Sequence, residues 1–336
     1  MPLCGGYAQK GGNATYSFLG LTNAARVAAL GGELVSIADD DINLAFHNPA
    51  LLSAGMHNHL NLNYVNYFAG VNFGYASYAR RHERLGNLAA GIHYVNYGSF
   101  EQTDELGELQ GNFRASEYAL NVMWSRSVID SALTVGLNLK PIYSSLEQYS
   151  SLGLALDLGL CYRIDRSHTT VAVVVKNMGA QLITYSGTRE KLPFEIQAGI
   201  TQGLAHAPFR FSITLQNLEK WDLTYEVEGQ DKTDFFNEEV KTSSFDEFGD
   251  KLMRHLVFGT EFLLGKNFHI DLGYNYKRRQ EMKVSGKPGM VGFSWGLGFR
   301  VSKFHFAFGR SSYHLAGGSS HFSLTTNLSD FYHRTP

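Results

Sequence analysis

Gly292-Phe293-Ser294-Trp295-Gly296 has the spelling of a nucleophile elbow, Gly-x-Ser-x-Gly. Such a serine attacks an acyl group from a sharp strand–turn–helix corner, with its acid and base further along the chain. Here large and small residues alternate unbroken from Val291 to Val301, so Ser294 sits in mid-strand and the corner is missing. His57 and His59 are spaced i, i+2 on one strand face and offer two metal ligands, but no third stands nearby. They read as interfacial polar residues. Asp39-Asp40-Asp41 invites a divalent cation, yet three adjacent carboxylates cannot all face one ion. The triplet reads as a solvated turn, with Asp41 capping 42–46. There is no Walker loop, Rossmann glycine pattern or C-x-x-C pair. The expectation is a protein that is not an enzyme and uses no metal and no cofactor.

The element that must hold Ser294 is the stretch 291–310, VGFSWGLGFRVSKFHFAFGR. Val291, Phe293, Trp295, Leu297, Phe299 and Val301 form one face; Gly292, Ser294, Gly296, Gly298 and Arg300 form the other. After Ser302-Lys303 the pattern resumes with Phe304, Phe306 and Phe308. Two alternating runs across a two-residue link read as a hairpin. A soluble sandwich turns its bulky side chains inward, whereas here the small and polar face would make a poor core. A transmembrane barrel wants this arrangement, with large apolar side chains to lipid and small or polar ones to the lumen.

The rest of the chain repeats the rhythm. Alternating runs fall near 57–67, 70–80, 87–98, 114–127, 131–142, 150–164, 168–177, 193–203, 208–218, 253–264, 267–278, 290–302, 303–311 and 319–328. That is an even number, as single-chain bacterial barrels require. Leu152, Leu154, Leu156, Leu158, Leu160 and Tyr162 are the clearest lipid face, and Cys161 falls on the lumen side. Short connections (128–130, 165–167, 204–207, 265–266, 302–303) alternate with long ones (99–113, 178–192, 219–252, 279–289). Short periplasmic turns opposite long outer loops are what a barrel shows. The link 67–70 is too short for an outer loop, which leaves the first strand the weakest assignment. The fold expected is therefore all-β, a 14-stranded antiparallel transmembrane barrel at 57–328, with a tail at 329–336.

Composition agrees. The 336 residues hold 35 Gly against 7 Pro, with 18 Tyr, 23 Phe and 3 Trp, a mixture suited to many strands and tight turns. A net charge of -2 gives no electrostatic case for nucleic acid. No apolar run approaches the ~18 residues of a membrane helix, and a mean hydropathy of -0.18 is compatible with alternating strands. Inward positions include Lys140, Asp157, Lys176, Glu195, Glu261, Asp271 and Arg300. Charges of both signs in a lumen must pair, so they read as salt bridges bracing the interior.

Residues 1–56 contain no strand. Met1–Gln9 reads as the tail of a secretory signal with Ala8 at the cleavage point; Pro2-Leu3 before Cys4 make a poor lipobox. In that bacterial setting the Asn13-Ala14-Thr15 sequon is discounted. Asn23 is placed to cap 24–30, which Gly31-Gly32 end. Asn48 followed by Pro49 and Ala50 starts a second short helix running to Ala54.

These residues carry a resemblance. The segment 25–52, ARVAALGGELVSIADDDINLAFHNPALL, resembles the N-terminal segment of FadL-type outer-membrane barrels, with its Asp39–Asp41 cluster and Asn48-Pro49-Ala50. Within that superfamily it is most similar to the PorQ-type proteins of the Bacteroidota type IX secretion system. LPFEIQAGITQGLAHAPFRFSITLQNLEKWDLTY (192–225), GYNYKRRQEM (273–282) and SSYHLAGGSSHFSL (311–324) match in order, so the resemblance spans most of the chain. It implies a plug at 10–56, an outer-membrane location in a Gram-negative bacterium, and contact with outer-membrane lipid. It also implies a role as a non-enzymatic anchor that holds a PorZ-like surface protein beside the sortase PorU and its PorV-like barrel, where secreted cargo is attached to lipopolysaccharide. FadL-like transport of hydrophobic small molecules is the rival reading; it needs an apolar lumen pocket, whereas the inward positions read small or charged.

The stretch 226–250 has nine acidic residues against Lys232 and Lys241, and carries Phe235, Phe236, Phe245 and Phe248. Ser244-Phe245-Asp246-Glu247 spells a capping box, so a short amphipathic helix is expected in this outer loop. It serves either as a cover folded over the barrel mouth or as a partner-docking surface.

Overall fold

The computed structural model describes residues 14–103, 106, 108–129, 132–224, 244–282, 289–314 and 317–332. The signal remnant with Cys4, and Phe235 and Phe236, lie outside them.

The strands are β1 (His59–Asn66), β2 (Asn72–His82), β3 (Gly86–Thr103), β4 (Leu109–Ile129), β5 (Leu133–Leu146), β6 (Tyr149–Ile164), β7 (Thr169–Ile183), β8 (Glu195–Gly203), β9 (Phe209–Leu215), β10 (Leu256–Leu263), β11 (Phe268–Asn275), β12 (Phe293–Val301), β13 (Phe304–His314) and β14 (Gly317–Asn327). Each pairs antiparallel with its sequence neighbours, and β1 pairs with β14 from His59↔Asn327 to Asn66↔Ser320, closing the barrel. The weakest assignment from sequence is thus the strand that seals the wall. Closure leaves no unpaired edge, which a lipid environment demands of a sheet. Among the described residues no helix is long and apolar enough to cross a membrane.

Alternation decides which side chains face out. Along β6 the burial alternates from Ser151 to Tyr162, with Leu152, Leu154, Leu158 and Leu160 outside and Ser151, Ala155, Asp157 and Cys161 inside. Within 99–113, expected as a loop, residues 99–103 continue β3 and 109–113 belong to β4, so the two strands rise as a tall hairpin in which Phe100 pairs with Phe113 and their rings stack at 5.2 Å. Likewise β7 runs on to Ile183, past the expected boundary. Several tight turns at the other end use left-handed residues, among them His168, Gly265 and Ser302, at φ of 53°, 76° and 55°.

Residues 15–56 lie inside the barrel and supply most of the core. They include α1 (Ala25–Ala29), α2 (Leu44–His47) and short 3-10 turns at Pro49–Leu51 and Ala54–Met56. Asn48 caps the first of these turns, its Oδ1 accepting from Ala50 N at 3.0 Å, but the helix expected through Ala54 breaks into two turns. Asn23 does not cap α1, because Ala24 holds that position. Its side-chain oxygen accepts instead from Asn63 of the wall at 3.3 Å. The end of α1 is as the sequence reads: Gly31 and Gly32 take φ of 103° and 94°, where a Cβ would be strained. Among the described residues three more α-helices lie outside the strands: α3 (Ser244–His255), α4 (Tyr276–Met282) and α5 (Ser329–Tyr332). α3 is the helix expected from the capping-box pattern.

Candidate functional site

The lumen and what fills it form the site. α1 brings a single charge, Arg26, into a helix otherwise made of Ala and Val. Its Nε donates to Glu261 of β10 at 2.8 Å, and its two terminal nitrogens reach Asp39 at 2.7 Å and Asp41 at 3.1 Å. Arg210, register partner of Glu261 across β9–β10, binds the other Glu261 oxygen and reaches Asp39 at 3.2 Å. Burial alone would raise the Asp39 carboxyl. The Arg26 and Arg210 guanidiniums more than offset this and hold it far below its usual range. For Arg26, burial works against the charge, but Asp39, Glu261 and Asp41 keep it charged throughout any working pH. The hub thus braces Arg26 on Asp39 by a bidentate pair and fastens the N-terminal segment to the wall by charge-assisted bonds to Glu261 and Arg210.

A second network crosses the opposite side. Lys140 of β5 pairs with Asp157 of β6 at 2.7 Å and donates to Asn177 Oδ1 at 2.7 Å. Asn177, at φ 58°, kinks β7, and its N–H bonds Asp157 Oδ1 at 2.8 Å. Lys176 approaches Glu33 at 3.9 Å, and Glu33 also accepts from Gln197 at 2.8 Å. Glu195 accepts from Asn217 Nδ2 at 2.8 Å. Six of the seven inward charges therefore lie in the lumen and brace it. Arg300 is the exception and corrects the expectation: it keeps inward parity but stands at the periplasmic rim, its side chain 53% exposed and 3.8 Å from Asp330. Parity gives the face of a residue, not its height.

The Asn48-Pro49-Ala50 element sits against the same side. Asn48 Nδ2 donates to Val35 O at 3.0 Å, and a Cβ on Gly159 or Gly136 would collide with Asn48, Pro49 and Ala50. Small wall residues here let two backbones approach. The aspartates divide their roles. Asp39 serves the hub, Asp40 accepts from Ser53 at 2.8 Å, and Asp41 binds the N–H and side chain of Asn43 as well as Arg26. So Asp39 and Asp41 are paired, not solvated, and Asp41 bonds Asn43, the residue before α2.

Ser294 is buried and donates to Ala29 O at 2.8 Å; Ser311 does the same to Ala28 O at 2.9 Å. The serine of the Gly-x-Ser-x-Gly spelling thus ties α1 to β12. His57 Nδ1 accepts from Arg81 N, a backbone contact at the rim. The described residues also gather Glu261, His269 and Asp271, with ligand-type atoms within 4.8 Å of one another. Both Glu261 oxygens are committed to guanidiniums, and two such cations beside the cluster disfavour a further positive ion. Below it opens a periplasmic-side pocket of about 300 Å³, with Arg26, Asp39, Arg210, His269 and His305 in its walls.

Sequence reasoning did not single out Arg26, Arg210 or His269. Arg26 carried a signal, since one charge in a small apolar helix must find acids. The other two become visible only once strands are in register. Reasoning from sequence also missed the outer half of the lumen, which is apolar: Tyr16, Phe18, Leu19, Val65, Phe73, Val95 and Ile142 pack into one buried cluster. Beside it His47 and His93 are buried with neither ring nitrogen bonded within the protein, while Phe46 touches both rings. Burial, with Lys176 and Lys140 nearby, holds His47 well below its ordinary pKa and so neutral.

A closed antiparallel barrel of fourteen strands with an occupied lumen defines the class, an outer-membrane β-barrel. The chain is similar to the Ralstonia pickettii toluene transporter TbuX (TM-score 0.52, 10% identity, 91% of this chain and 97% of that one). It is similar to a deletion mutant of TodX, a monoaromatic hydrocarbon channel (TM-score 0.52, 13% identity, 92% and 98%). A Pseudomonas aeruginosa FadL homologue also matches, at TM-score 0.48 and 12% identity over 91% of this chain and 98% of that one. No family model and no curated protein sequence matches. At such identities the likeness establishes the fold alone; the closed barrel with its apolar outward face is what gives a Gram-negative outer-membrane location.

Proposed function

We propose that this chain is a non-enzymatic outer-membrane anchor of the PorQ type, a shut barrel that holds a PorZ-like surface protein near the PorU–PorV sortase pair. The observation that carries this reading is the filled lumen: residues 15–56 are fastened to the wall by the Arg26 hub on one side and by close backbone packing at Asn48-Pro49-Ala50 on the other. The four ordered stretches of resemblance supply the partner class. A second reading, passage of hydrophobic small molecules, is favoured by the structural neighbours, two of which are named as a toluene transporter and a monoaromatic hydrocarbon channel. The apolar outer half of the lumen speaks for it too and removes the objection that every inward position is small or charged. That reading requires the N-terminal segment to move.

One experiment separates them. The tagged protein is purified from its native outer membrane, and in parallel is reconstituted and assayed for toluene entry. An anchor brings a surface protein at near-equal amounts and admits no toluene. A transporter comes alone and admits it. Replacing 233–245 by a short Gly/Ser linker should leave assembly intact, since closure entropy grows only logarithmically with loop length. The same change should release the partner; retention at the original level would remove this loop, with Phe235, Phe236 and Phe245, from the docking surface.

A further inference from the structure

The barrel wall is uneven in height, and one part of it stops inside the membrane. A tilted strand climbs about 2.5 Å of membrane depth per residue, and an outer-membrane barrel presents an apolar band of about 25 Å. Tyr143 in β5 lies ten residues above Leu133, the start of that strand, at a height of about 25 Å by the same measure, and its ring is 6.3 Å from that of Tyr118 in β4, itself stacked on Tyr94 at 4.8 Å. These tyrosines mark the upper aromatic girdle. On the other side β9 ends at Leu215, only about 15 Å up, and β10 begins at Leu256, at a similar height. The upper layer over β9 and β10 is therefore covered by something other than strand.

What covers it is the chain after β9 and the helix before β10. Leu218 N bonds Ile196 O at 3.0 Å, carrying the β9 edge upward past the left-handed Asn217. Phe248 and Leu252 fall at i, i+4 on α3, and Leu256, the next in that row, opens the outward face of β10. The Trp221 ring lies 5.6 Å from Phe248 and stacks on His255 at 5.5 Å, and the His255 imidazole is bonded to the carbonyls of Gln216 and Trp221. The polar side of α3 turns to protein: Asp250 accepts from Tyr276 of α4 at 2.7 Å, and Lys251 pairs with Asp222 at 3.0 Å. Leu218, Trp221, Phe248 and Leu252 are left 42%, 51%, 53% and 37% exposed.

We propose that these four residues form an interfacial patch seated in the acyl–headgroup boundary of the outer leaflet, so that α3 completes the lipid-facing belt where the strands are too short. The occupant is lipid because the patch continues an apolar face already turned to lipid, at the height of the aromatic girdle on the tall side. Amphipathic helices of this kind bury their apolar face some 5–10 Å into that boundary. The inference rests on neither function proposed above; it gives Phe248 to lipid and leaves Phe235, Phe236 and Phe245 to any docking surface.

Trp221 supplies the probe. The full-length protein with W124F and W295F is reconstituted into phosphatidylcholine vesicles brominated near the top of one acyl chain. Trp221 emission should fall about twofold relative to unbrominated vesicles, with weak quenching by aqueous iodide. Adding F248S and L252S should reverse both effects while unheated gels still show the compact barrel; should that variant fail to assemble, the parent protein decides alone. Iodide quenching as strong as for free tryptophan, with no response to bromine, would place the patch in water and overturn the proposal. Shielding from iodide without bromine quenching, appearing only when a native membrane protein co-purifies, would assign the face to a protein partner and overturn it equally.

Discussion

β3 to β7 contain 18, 21, 14, 16 and 15 residues, whereas β8 to β12 contain 9, 7, 8, 8 and 9. The two walls also differ in what they add to close packing of the N-terminal segment. On the tall side Asn48, Pro49 and Ala50 press against Gly136 and Gly159, and Lys176 only approaches Glu33, at 3.9 Å. On the short side and β13, α1 packs as closely against Gly273, Gly296 and Gly309, but a buried ion hub from Arg26 to Glu261 and hydrogen bonds from Ser294 and Ser311 to the carbonyl end of α1 are added. Packing against glycine tolerates no added volume but needs no charge. An ion hub tolerates small shifts but fails when one partner is lost. If the segment ever leaves, the short wall is the side on which a change of charge could release it.

The most severe test of that contrast is Arg26→Met. Glu261 and Asp39 would then share Arg210 alone, and breaking a buried pair by deleting one member costs about 3–5 kcal/mol. Urea unfolding of the purified barrel should show a loss of this size, and proteolysis should reach residues 15–56 first. An unchanged midpoint would mean that the hub is ornamental and close packing holds the segment alone. The converse variant is Gly159→Val, whose added carbons meet Asn48. Overpacking costs about 1–3 kcal/mol, and here it should loosen the Asn48 turn while leaving the Arg26 hub formed. Equal disruption of both walls by Gly159→Val would show that they are one unit.

Acid should separate the sides further. His47 packs toward the tall wall, near Lys140 and Lys176, with its pKa depressed from 6.5 by burial and those charges. A buried neutral histidine stabilises fully above 6.5, and the contribution is lost as pH falls below that value, because only the unfolded chain takes up the proton. Asp39 is depressed from 3.8 despite its burial, by Arg26 and Arg210. Its contribution is intact above 3.8 and disappears only below it. Stability should therefore fall in two limbs, each with a slope of up to about 1.4 kcal/mol per pH unit per group. Melting curves between neutral and strongly acid pH check this: His47→Asn should shrink the upper limb and Arg26→Met the lower. Limbs left unchanged by these substitutions would refute the assignment.

The same contrast explains what the sequence disclosed. Where strands cross lipid, one face meets hydrocarbon and the other the packed lumen, so alternation is strong and β6 could be read residue by residue. Above the membrane both faces of the β3–β4 hairpin meet water, alternation fades, and 99–113 reads as a loop although 99–103 and 109–113 are strand. Inward parity identified Glu261 and Asp271 but not what they bind, since Arg26, Arg210 and Glu261 are brought together only by register and by a segment folded back from the N-terminus. Arg300 shows the same limit, its face legible and its height not. Helix α3 was legible from its capping box, because that signal is local.

The smallest effect expected is the one the Gly-x-Ser-x-Gly spelling made look largest. Ser294 Oγ donates to Ala29 O inside the short wall, and Gly296 next along the strand is crowded by the Ala29 methyl. Ser294→Ala removes one neutral hydrogen bond and leaves the Ala29 carbonyl buried, at a cost of about 1 kcal/mol. That is more than a mid-strand serine facing an open lumen would cost, and less than the loss of any member of the Arg26 hub. Because Ser311 holds Ala28 in the same way, Ser294→Ala and Ser311→Ala should be sub-additive with each other, both acting on one helix end. Either should be additive with Gly159→Val on the far wall. Urea midpoints for the singles and doubles give both comparisons. If Ser294→Ala instead abolished an ester-hydrolysing activity of the purified protein without moving its midpoint, the serine would be a nucleophile, and the short wall would have to be reread as an active site.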